Sequence, residues 1–256
     1  MNPFWPPRNG PLGWPPPATQ TNPFGALSPV SPVRPAVGAL LSGVKRKVYF
    51  AFSFDDVLRV NNVRQIGKIG PPQESRNART LSDRSIWERR SITNDEGLKD
   101  LMRNGVKYSS AVCVLIGTDT WESRWVKYEI SRAVIDGRGL FSVDINSLNH
   151  NVRRTPDPPG YNPLHLMGIY RDPNGRFYIW EKSVIIKNVE TGELGWEWRA
   201  YEDYTDPVPL PRYITDIAVG YIMPLSEVTC RYDFIANEGG KNLGYWIDAA
   251  AVSAGR

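Results

Sequence analysis

The sequence predicts an α/β protein, a doubly wound parallel sheet with helices on both faces, followed by a β-rich C-terminal extension and preceded by a Pro-rich tail. Three observations carry this. "KVYFAFSF" (47–54), "SAVCVLIG" (110–117) and "GLFSVDIN" (139–146) are near-continuous apolar runs, as strands covered on both faces must be. Helical patterns alternate with them, which is the order of a parallel sheet. Past residue 146 the alternation fades into Pro-, Asn- and Gly-rich sequence, so the expected division is 1–42 tail, 43–150 α/β core and 151–256 extension packed on the same domain.

Residues 1–36 hold 11 of the chain's 22 prolines and repeat "NPF" (2–4, 22–24) and "WPP" (5–7, 14–16). Proline fixes φ and removes a donor, so the segment is expected to stay disordered and extended. After the first strand, "DDVLRVNNVRQI" places Val57, Val60, Val63 and Ile66 about every three residues, with Asp55 or Asp56 as cap. "SIWERRS" supplies a short apolar piece around Trp87. A second helix is expected from Asn94 to Asn104, stopped by Gly105. "TWESRWVKYEIS" (120–131) then opens the next helix as three continuous turns. In the extension, 177–204 reads as a hairpin turned by "ETGE" (190–193).

Composition narrows the function. The formal charge is +4, of which the acid-free tail (Arg8 and Arg34) accounts for +2, so no basic face accompanies the pI and nucleic-acid binding is not expected. Two cysteines and two histidines exclude a disulfide framework and a typical His/Cys zinc site. No apolar stretch reaches the ~20 residues of a membrane span, and a cytoplasmic location is expected.

The pocket of such a sheet belongs at the carboxyl ends of its strands, here Ser53–Asp56 and Gly117–Thr120. One carboxylate of the third helix stands out. On a helical wheel Val126, Ile130, Ala133 and Val134 form a buried stripe, and Glu129 lies about 85° from its centre, flanked on the other side by Trp121 and Trp125. Periodicity places it at an edge, neither fully wet nor fully buried. From pattern alone it is either a surface acid pairing with Arg124, Lys127 or Arg132, or a carboxylate in a cleft.

"KVYFAFSFDDVLRVNNVRQ", "SIWERR", "CVLIGTDTWESRWVKYEISRAV" and "GLFSVDIN", in that order and spacing, resemble the TIR-like proteins of the Thoeris antiphage defence system. The resemblance covers residues 45–150 and, more weakly, parts of 160–200. It implies a flavodoxin-like TIR fold and an enzyme that cleaves NAD at the nicotinamide–ribose bond. ADP-ribose would then be cyclised into a signal for a partner effector, with NAD as substrate and no cofactor or metal. It assigns the catalytic glutamate of "YEI" to Glu129 and the pocket-lining strand end to Phe52, Ser53, Phe54 and Asp55.

Beside it, the residue types suit that chemistry. Phe54, Trp87 and Trp125 offer rings for nicotinamide or adenine. Backbone amides near Thr118–Thr120 or Asp55 offer donors for phosphates. His165, Tyr170 and Trp180 are candidates to close over the pocket. No G-x-G-x-x-G follows the first strand, which disfavours an ordinary dinucleotide-binding dehydrogenase. A phage-derived trigger and a homo-oligomer are further partners that such a role admits. A non-catalytic TIR-like interaction module and a nucleotide-binding sensor are the alternatives from other classes.

Overall fold

The computed structural model describes residues 46–66, 95–150, 154–187 and 194–256. The three expected strands are present as Val48–Ala51 (β1), Ala111–Ile116 (β2) and Gly139–Asp144 (β3), paired in parallel in that order. All their residues are buried, as strands covered on both faces require. The pleat sorts them: Ala111, Cys113 and Leu115 join Val48, Phe50, Phe141 and Val143 on one face. Val112, Val114 and Ile116 join Tyr49, Ala51 and Leu140 on the other.

Helix α1 (Val57–Ile66) buries Val60 and Val63 under the first face. Helix α2 (Asp95–Lys107) runs through Gly105 instead of stopping there. The glycine marks a close approach: a Cβ on it would stand 2.5 Å from Cε2 of Tyr49. Helix α3 (Arg124–Ile135) starts later than its pattern suggested, because Thr120–Glu122 form a 3-10 turn and Ser123 is extended. Ser123 Oγ instead caps the helix by accepting the Val126 N–H at 3.4 Å.

The extension forms a second, antiparallel sheet of β4 (Met167–Arg171), β5 (Phe177–Lys187), β6 (Leu194–Ala200) and β7 (Ile222–Pro224), in the order β6-β5-β4-β7. β5 and β6 pair as the expected hairpin strands, and their "ETGE" turn lies outside the described residues. Met167, Ile169 and Ile179 of this sheet share one core with Val126, Ile130, Ala133 and Val134 of α3 and with the second face of the parallel sheet. α3 is therefore covered from two sides. That burial, at roughly 1.5–3 kcal/mol per large aliphatic side chain, joins the two sheets.

The boundary expected at residue 150 does not separate the layers. Cys230–Asp233 (β8) pairs in parallel with β3, and Gly239–Ser253 (α4) packs Leu243, Trp246, Ile247 and Ala251 on the face that α1 also covers. Half-exposed β8 at the sheet edge has no continuous apolar run, so nothing in its pattern announced it. The tail 1–42 and "SIWERR" with Trp87 lie outside the described residues.

Asp203, just past β6, ties this extension to the helices. Its carboxylate accepts Nε and Nη2 of Arg124 at 2.9 and 2.8 Å and pairs with Lys99 Nζ at 3.0 Å. The Arg124 hydrogen bonds, reinforced by Lys99, hold its pKa down to about 2. Asp203→Asn is expected to lower stability at neutral pH by about 1–2 kcal/mol. The folded pKa lies below the unfolded one, so the contribution is present above about pH 5 and is lost as pH falls through about 2. Thermal unfolding of both proteins from neutral to acid pH should show the gap between them closing.

Candidate active site

Glu129 sits in the middle of α3 and is 1% exposed, more deeply buried than its place at the stripe's edge suggested. The physical reason is that Tyr49 of the parallel sheet reaches that edge of the helix and α2 packs beside it. Periodicity reports one buried face, whereas α3 packs on the parallel sheet, on the antiparallel sheet and on α2. The Tyr49 hydroxyl donates to Glu129 Oε1 at 2.6 Å.

The surface ion pairs open to Glu129 are not made. Arg124 binds Asp203 and Asp95, Lys127 meets Glu181 at 3.0 Å, and Arg132 meets Asp136 at 2.8 Å. Arg124 and Lys127 serve the faces of α3 that meet its neighbours, and Arg132 pairs with the C-cap of its own helix. Trp125, one turn before Glu129, packs on Leu98, Met102 and Tyr128 between α2 and α3, with the Arg124 guanidinium 5.0 Å from its ring centroid.

At the carboxyl ends of β1 and β2 the structure has the expected cleft, about 280 Å³, lined in part by Ser53, Asp55, Thr118 and Asp119. Ser53 is extended, with φ −73° and ψ 144°, and leads into the 3-10 turn Phe54–Asp56, which aims Asp56 inward. Asp56 pairs with Arg59, and Arg59 Nη1 also meets Asp157 at 2.8 Å. Burial pushes the Asp56 carboxyl up against the opposing pull of Arg59. Thr120 Oγ1 donates to Asp56 at 3.3 Å and accepts the Gly117 N–H at 2.8 Å. Position 117 admits no side chain, because a Cβ there would run into the Asp56 carboxylate.

The chain crosses these strand ends again at Asp157–Gly160. Thr118 Oγ1 donates to the Pro158 carbonyl at 2.8 Å, and the Asp157 N–H donates to the Asn146 carbonyl at 3.0 Å. Four aspartates (55, 56, 119 and 157) line the cleft, and the charge of Arg59 is already shared by two of them. Such a wall disfavours a diphosphate.

The sequence-derived site residues thus divide into groups. Trp125 and Glu129 lie one turn apart on α3; Ser53, Asp55 and Thr118 line the strand-end cleft, which Glu129 does not line. Phe52 is 1% exposed and belongs to the core under α1, its ring 5.2 Å from the Arg64 guanidinium, while Phe54 is 53% exposed. Trp87 lies outside the described residues. His165 contacts Ser226 at 3.1 Å, Tyr170 packs on Trp180 at 4.8 Å, and none of the three lines the cleft.

Sequence reasoning missed Tyr49, Arg59 and Asp157. The i, i+3 spacing of Asp56 and Arg59 was a usable signal. Tyr49 looked like one more apolar strand residue, and Asp157 lies in "TPDPPG", which has no periodicity to read.

Residues 49–150 match the family model described as Thoeris protein ThsB, TIR-like domain. Over 210 residues, 79% of this chain and 99% of the relative, the sequence is 28% identical to a protein of Bacillus cereus (strain MSX-D12) named "Putative cyclic ADP-D-ribose synthase ThsB1". The matched span contains β1 to β3 and α1 to α3, and with them Tyr49 and Glu129. The parallel α/β layer, that match and that relative agree in what residues 49–150 are similar to: the TIR-like domain of Thoeris proteins.

Proposed function

We propose that this protein is an NAD-consuming enzyme of antiphage defence. It breaks the nicotinamide–ribose bond, closes the remaining ADP-ribose on itself, and so makes a signal for a partner effector. Glu129 carries the chemistry. The observation behind that assignment is a buried carboxylate that accepts from a phenol within the matched domain, and the sequence resemblance is what gives it the catalytic role. The printed name of the Bacillus cereus relative supports the reaction class.

As the C–N bond stretches, its electron pair leaves with nicotinamide and positive charge develops over the ribose C1′ and ring oxygen. A carboxylate in a low-dielectric setting stabilises that oxocarbenium-like state more than one in water would. A hydroxyl of the same ADP-ribose then bonds to C1′ and gives up its proton, which the carboxylate can accept. The sum is NAD to nicotinamide, a cyclic ADP-ribose isomer and a proton. At 1% exposure Glu129 meets substrate only after its cover shifts, which suits an enzyme that idles until a phage-derived trigger arrives.

Glu129→Gln tests this. The amide keeps the side chain's shape, and its oxygen still accepts from Tyr49, so the fold is expected to survive with an unchanged circular dichroism spectrum. Nicotinamide release and cyclic product should fall by about 100-fold or more, read by mass spectrometry of nucleotides from phage-infected cells. A Gln variant that makes product at the wild-type level would sink the assignment. Protection retained without product would point instead to an interaction module.

A further inference from the structure

We infer that Tyr49 is a positioning residue for Glu129, and that Gly105 is what lets it stand there; the inference rests on the catalytic reading of Glu129 above. Three elements converge. Tyr49 lies on β1 and is 5% exposed, Gly105 is in α2, and Glu129 is in α3. The phenol donates to Oε1 at 2.6 Å, and the ring reaches that oxygen across the α2 backbone at position 105.

A side chain at 105 would occupy the ring's place, since its Cβ would fall 2.5 Å from Cε2 and 3.0 Å from Cδ2 of Tyr49. Glycine in a helix interior is unfavourable relative to alanine, and here the close approach accounts for it. Glutamate has three rotatable bonds, so an anchor on one oxygen restricts where the carboxylate points. The choice of anchor also matters chemically. A phenol is a neutral donor, so this anchor orients the carboxylate without itself offsetting its charge. An ammonium or guanidinium in that place would orient it while offsetting the charge.

Tyr49→Phe, Gly105→Ala, the double variant and Glu129→Gln are assayed together as purified full chains, with NAD titrated in extract of phage-infected cells and nicotinamide measured. Tyr49→Phe is expected to lower kcat by about 10- to 100-fold with KM little changed and the melting temperature within a few degrees. Gly105→Ala should lower kcat in the same direction by displacing the ring. In the double variant the two losses should not add, because both act through one hydroxyl.

Wild-type kcat in Tyr49→Phe beside an inactive Glu129→Gln overturns the positioning role alone. A loss confined to KM, or one that follows the melting temperature, overturns it as well. Full activity of Glu129→Gln removes the catalytic reading itself, and is told apart by that variant.

Discussion

The burial of α3 between two sheets is the constraint on which the other features depend. A helix with one covered face can leave its charged flanks in water; a helix covered twice cannot. Each polar group near its flanks then needs a partner. Lys127 finds Glu181 on β5, Arg124 finds Asp203 past β6, and Ser131 Oγ donates to the Tyr128 carbonyl at 2.7 Å. The two ion pairs fix the register between the layers. They also show why the extension, although its sequence looks irregular, is built into the molecule: its acids answer the cations of α3.

The same enclosure separates two kinds of buried carboxylate. At the strand ends Asp56 and Asp157 share Arg59, so their charge is offset and their role is to hold α1 and the Asp157–Gly160 crossing together. Glu129 accepts from a phenol, and a hydrogen bond of that kind orients a charge without itself cancelling it. Proximity to the strand-end cleft is not the deciding quantity.

The strands β1 to β3 were legible because a strand buried on both faces leaves little choice of residue. "AVCVLI" is buried throughout, and its ends fall within one residue of the expected run. The stripe of α3 was legible for a similar reason. Other features were not. Gly105 has the composition of a helix stop, and only the Tyr49 ring across from it shows that it keeps space open. The start of α3 at Arg124 depends on an extended Ser123 with its hydroxyl as cap, although Thr120 to Glu122 carry no breaker. β8 and α4 rejoin the parallel sheet after more than eighty residues, a pairing between distant segments that no local pattern encodes.

By itself the sequence determined the α/β class, the placement of the apolar strands and the presence of a carboxylate at the edge of the third helix's stripe. Those properties depend on local periodicity and on which residues can be buried. Only the tertiary structure decided that Glu129 is enclosed, that Tyr49 donates to it, and that Arg124, Lys127 and Arg132 are engaged elsewhere. Helical geometry specifies the direction in which a side chain points; what it meets there is set by whichever distant element packs against that face.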